Sequence, residues 1–144
     1  MDNNFEKERR LNVRIKISVP IHFVVFDSEA VTKLDLKETV RLRTAVSRDL
    51  GVGGLGMDTD DLRDEWISDL STGLIKIALK FDLPVSSISA TAKVAWIKKK
   101  EAPKADEKKY VLGLDFLDIS TIDANKIVNL VVGSYFDKTK EEKL

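Results

Sequence analysis

From Leu11 to Val25 every odd-numbered residue is apolar: Leu11, Val13, Ile15, Ile17, Val19, Ile21, Phe23 and Val25. Asn12, Arg14, Lys16, Ser18, Pro20 and His22 fall between them. Successive side chains of a strand point to opposite faces, so a period of two predicts a strand with one buried and one wet side. Two later runs repeat the pattern. Ile75, Ile77, Leu79, Phe81 and Leu83 alternate with Lys76, Lys80 and Asp82 until Pro84, and Ile88, Ala90, Ala92, Val94 and Trp96 alternate after Ser86-Ser87. Runs of this kind, separated by a proline and serines, predict adjacent antiparallel strands.

Other segments fill in the plan. Asp27 to Glu38 loses the alternation and reads as a turn or long hairpin loop, after which Val40, Leu42, Val46 and Leu50 resume an extended stretch. Met57 to Ser71 is acidic, with Leu62, Trp66 and Leu70 spaced for a short helical turn. Lys98 to Lys109 is a charged run expected as an exposed hairpin loop, and Tyr110 to Ile119 is apolar once more. Ser120-Thr121-Ile122-Asp123 offers a hydroxyl cap and an early acid, so a helix is predicted from there. Ile127, Leu130, Val131 and Tyr135 form one face of that helix. Val128, Val132 and Phe136 add a second stripe, which points to a homodimer through this helix. Short strands followed by one terminal helix predict an all-β class: a small antiparallel barrel closed by the helix.

Bulk properties narrow the function. At 144 residues, 43% apolar, the chain is expected to form one domain, and with 24 basic and 24 acidic residues it carries no net field. No DNA, RNA or membrane surface is therefore recommended as a partner, and any anion site must be local. There are no cysteines, which removes thiolate metal sites and cysteine nucleophiles. Met1-Asp2-Asn3-Asn4 begins no signal-like segment, and no run approaches the roughly 20 apolar residues of a membrane span. A cytoplasmic protein is expected. His22 is the one histidine and lies on a polar strand face, and Asp58, Asp60, Asp61 and Asp64 depart from calcium-loop spacing. No catalytic constellation, metal site or cofactor is expected.

Two clusters remain. Arg9-Arg10-Leu11-Asn12-Val13-Arg14 is either a solvated basic arm or a set of cationic forks for phosphate and guanine edges. On a flat strand Arg10 and Arg14 would stand about 13 Å apart, so a shared site requires the segment before Val13 to curl. Asp49-Leu50-Gly51-Val52-Gly53-Gly54-Leu55 is either a plain glycine turn or an acid-led ligand turn. Gly51 to Gly56 also fits GxGxxG, but acids surround it and no helix opens at its last glycine, so dinucleotide-cofactor binding is rejected.

In this order the two clusters resemble the PilZ family, whose members mostly sense cyclic di-GMP through RxxxR and [DN]xSxxG. Ala92-Lys93-Val94-Ala95-Trp96 is similar to the family's valine-x-tryptophan strand, and Gly113-Leu114-Asp115-Phe116 to its GxxF strand. The resemblance implies a six- or seven-stranded antiparallel barrel with a C-terminal helix. The implied domain covers residues 9–137, between a flexible tail at 1–8 and a charged tail at 138–144. It implies a receptor in which Arg10 and Arg14 grip the ligand, Asp49 accepts hydrogen bonds from a guanine edge, and Gly54 lets the backbone turn. Arg9 is a further cation expected to favour a stacked nucleotide dimer, and Trp96 is either a wall for a guanine face or a core side chain. Gly51 stands where the pattern has serine, which removes one neutral hydrogen bond of about 0.5–1.5 kcal/mol. Ligand binding is expected to order the arm and signal to a downstream protein. The alternative is a degenerate PilZ-like adaptor that binds protein and not nucleotide.

Overall fold

A computed structural model describes residues 13–27, 41–84 and 86–143, with side chains through 136. Its strands are β1 (Ile15–Lys16), β2 (Pro20–Asp27), β3 (Arg43–Leu50), β4 (Gly54–Thr59), β5 (Ile75–Leu83), β6 (Ser86–Lys99) and β7 (Tyr110–Ile119). A 3-10 turn (Asp64–Trp66) and helix α1 (Ile67–Thr72) lie between β4 and β5, and helix α2 (Thr121–Lys143) follows β7. All pairings are antiparallel, in the order β1-β3-β2-β5-β6-β7-β4, and β4 pairs back onto β3. Six strands thus close a barrel, with β1 outside the ring. Closure leaves the ring strands no free edge.

Alternation fills the interior. Ile21, Phe23 and Val25 of β2 stand opposite Phe81, Leu79 and Ile77 of β5, and all six are buried. Ile88, Ala92 and Val94 of β6 and Tyr110, Leu112 and Leu114 of β7 complete that wall. Leu62, Trp66 and Leu70, the expected helical turn, bury together, and Ile127 and Val131 of α2 join the same core. Ser120 Oγ accepts the Asp123 N–H at 3.0 Å, so the predicted cap forms. The helix nevertheless runs on through Lys143, over the stretch expected as a charged tail. Tyr135, placed by spacing on the packed face, is 64% exposed, as is most of Phe136.

Three departures from plain alternation matter. The first long run is broken at 17–19, because Ser47 takes over the ladder: its hydroxyl donates to Ile17 O and accepts the Val19 N–H at 2.9 Å, and its own N–H donates to Val19 O. In β3 a bulge between Ser47 and Asp49 reverses parity, so that Leu50 enters the core and Asp49 faces outward. In β6 a bulge between Val94 and Trp96 does the same. By alternation Trp96 belongs with Val94 in the core, yet it is 47% exposed.

Candidate functional site

The two bulges bring the sequence motifs onto one outer face. Lys16 of β1 pairs with Asp49 of β3, Asp49 with Gly56 of β4, Gly56 with Gly113 of β7, and Gly113 with Trp96 of β6. The neighbouring row runs from Arg14, just before β1, over Gly51 to Gly54, Asp115 and Lys93. Glycines therefore occupy the middle of both rows, and the functional side chains lie on them. The Arg14 stem covers Gly51, the Asp49 carboxylate covers Gly56, and the Trp96 indole covers Gly113. A Cβ at Gly113 would come within 2.1 Å of Trp96 Nε1. No larger residue there is compatible with a flat indole.

Gly54 is required for a different reason than a turn. It opens β4, its φ is not in the left-handed region, and an added Cβ would lie 2.0 Å from Leu114 O. Its role is close approach between β4 and β7. Gly51 also meets a near neighbour, since a Cβ would stand 3.0 Å from Arg14 Cγ. The residue that replaces the motif serine is thus matched to the arginine it faces.

Arg14 Nη1 donates to Asp49 Oδ1 at 2.9 Å, and the Gly56 N–H donates to the same oxygen at 2.9 Å. Both partners of the ion pair keep more than a third of their side-chain surface, so the pair adds little to stability. It does fix a carboxylate beside a guanidinium, on a bare backbone, with an exposed indole three strands away on β6. Such a surface offers a fork for phosphate or a purine edge, an acceptor for ring N–H groups, and a flat face for stacking. Arg9 and Arg10 lie outside the described residues. The sequence-predicted Arg14, Asp49, Gly51, Gly54 and Trp96 all meet on this face.

Sequence reasoning missed two other clusters. Arg43 is only 1% exposed, donates to Asp61 Oδ1 at 2.9 Å and lies 4.6 Å over the Trp66 ring. It anchors the 3-10 turn to β3, and nothing in its spacing marks it. Asp64 accepts hydrogen bonds from Lys99 Nζ, at 2.7 Å, and from the Tyr110 hydroxyl. Those bonds, Lys99 first, hold its carboxyl down to about 2, while burial and Asp64 push the Tyr110 hydroxyl up. Among the described residues no group of acidic, histidine or cysteine side chains could hold a metal ion, and no helix is long and apolar enough to cross a membrane.

Solved structures share this architecture. Bacillus subtilis inhibitor of motility (MotI/DgrA) superposes with a TM-score of 0.60 at 16% identity, over 90% of this chain and 53% of that one. The PilZ domain with c-di-GMP of Escherichia coli YcgR gives 0.57 at 14%, over 94% of this chain and 99% of that one. Borreliella burgdorferi PlzA in complex with c-di-GMP gives 0.54 at 13%, over 94% and 56%. The chain thus spans about half the length of MotI and PlzA and nearly all of the YcgR domain. No curated protein sequence matches it. A family model described as PilZ domain matches residues 8–133, and the chain belongs to the PilZ domain family.

Proposed function

We propose that this chain is a bacterial cyclic di-GMP receptor without catalytic activity, acting in the cytoplasm. The observation that carries the reading is the single outward face on which Arg14, Asp49 and Trp96 lie over Gly51, Gly56 and Gly113. The solved PilZ structures of YcgR and PlzA that contain c-di-GMP support the choice of ligand. Arg14 contacts phosphate or guanine, Asp49 accepts from the guanine edge, Trp96 stacks, and Gly51 and Gly54 keep the floor low. Arg9 and Arg10 add cations from the preceding arm, whose change of conformation on binding is the signal to a protein partner.

Isothermal titration with cyclic di-GMP tests this. Micromolar or tighter binding is expected, lost by at least tenfold in Arg14→Ala, because a charge-assisted hydrogen bond contributes about 1.5–3 kcal/mol. No heat at high micromolar ligand would end the reading.

Gly51 favours a second reading, a PilZ-like adaptor that binds protein alone, since the motif hydroxyl is missing. If Arg10→Ala and Arg14→Ala leave cellular function untouched, the adaptor is the better account. Exposed Val132, Tyr135 and Phe136 on α2 support a homodimer through that helix, which light scattering with and without ligand would detect.

A further inference from the structure

The row beside that of Trp96 ends in two charged residues with no role in the site described so far. Asp115 of β7 and Lys93 of β6 are directly opposed, with Gly54 on the other side of Asp115. They line a cavity of about 340 Å³ together with Ser71 and Thr72 of α1 and with Ala95, the residue displaced by the β6 bulge. A cavity of that size is at the lower end of small-ligand sites. Lys93 and Asp115 do not close into an ion pair, and neither side chain has another partner among the described residues. An exposed pair of opposite charges gains little by meeting, so both groups remain available to a ligand.

The chemistry repeats that of Arg14 and Asp49: one cation and one carboxylate, facing the same way, at the far side of the glycine floor. Asp49 on β3 and Asp115 on β7 are separated by two strand spacings across β4 and by two residues along β7, about 12 Å in all. Guanine presents ring and amino N–H donors that suit a carboxylate, and O6 and N7 acceptors that suit a cation. Cyclic di-GMP carries two such bases.

We infer that Asp115 and Lys93 form a second recognition point, which reads the guanine of the distal half of the cyclic dinucleotide while Arg14 and Asp49 read the proximal one. This rests on the receptor reading above. It makes the site selective for a ligand with two guanines, because an adenine in the distal half offers Asp115 its amino group alone, without the adjacent ring N–H, so the two-point hydrogen bond is lost.

The test is calorimetric titration of the full chain, Asp115→Ala, Lys93→Met and Lys80→Met with cyclic di-GMP and with mixed cyclic GMP–AMP. Lys80 is exposed on β5, away from this face. The unaltered protein should prefer cyclic di-GMP by about tenfold or more. Asp115→Ala and Lys93→Met should each weaken cyclic di-GMP by about tenfold, leave the mixed dinucleotide within about twofold and so collapse the preference, while Lys80→Met keeps it. Equal affinity of the unaltered protein for the two ligands overturns the inference and spares the receptor reading. So does an unchanged preference in both variants, or an equal loss of both ligands, which marks general damage to the site. If the unaltered protein binds neither nucleotide, both fall.

Discussion

At the scale of single residues, the glycines of this face differ in what they tolerate. At Gly113 a methyl group would meet the Trp96 indole, a side chain that can lift away from the barrel. At Gly54 it would meet Leu114 O at 2.0 Å, which is backbone held in the β4–β7 ladder. Gly113→Ala is therefore expected to cost about 1 kcal/mol and to shift tryptophan emission to longer wavelength, whereas Gly54→Ala should cost about 3 kcal/mol or more as the strands separate. Urea unfolding of the two variants decides it, and equal costs would contradict the close approach. The same residues show what a sequence hides. The motifs at Arg14, Asp49, Gly51 and Gly54 are legible because short charged and glycine-rich strings are local. The outward turn of Trp96 is not. Strict alternation puts it in the core with Val94, and only the extra residue Ala95 in the register with β7 sends it out. Lys93 and Asp115 lie inside strand motifs, and the sequence alone does not join them, since cross-strand pairing is a non-local fact.

At the scale of elements, alternating runs mark β2, β5 and β6, an apolar run marks β7, and Ser120 marks the start of α2, because hydrophobic pattern and capping chemistry are written along the chain. The break between β1 and β2 was not announced, because the hydroxyl that makes it, on Ser47, is about thirty residues away. The long β6–β7 hairpin, read as a plain charged loop, is tied down through Asp64. Lys99 and Tyr110 come from its two strands and both donate to that carboxylate, with Lys109 Nζ at 3.5 Å. The carboxyl is held down from 3.8 to about 2, so the folded state favours the ionised form. Its contribution is fully present above pH 3.8, falls as pH drops from there, and is gone near pH 2. Asp64→Asn should accordingly be less stable than the unaltered protein at pH 7, with the gap closing between about pH 4 and pH 2. A gap that stays constant over that range would show that Asp64 does not clamp the hairpin by charge.

At the scale of the whole molecule, the barrel supplies rigidity, and the candidate site lies on its outer face. Closure leaves the ring strands no edge, the interior is filled from β2 to β7, and α1 and α2 add Leu70, Ile127 and Val131 to one core. The candidate groups Asp49, Trp96, Lys93 and Asp115 sit outside this core on β3, β6 and β7, so a ligand on them would require no repacking of the interior. A ligand that binds the folded chain and not the unfolded one raises stability by RT ln(1 + [L]/Kd), about 2.7 kcal/mol at a hundredfold excess over Kd. For a domain of this size each kcal/mol moves the melting temperature by about 2–4 °C. Saturating cyclic di-GMP should then raise Tm by about 5–10 °C in the unaltered protein. The same ligand concentration should give about half that shift in Arg14→Ala, because a tenfold loss of affinity at fixed ligand leaves about 1.4 kcal/mol of the stabilisation. The melt also separates the receptor from the adaptor: a chain that only binds protein keeps the same Tm with and without nucleotide, whatever the arginine at position 14.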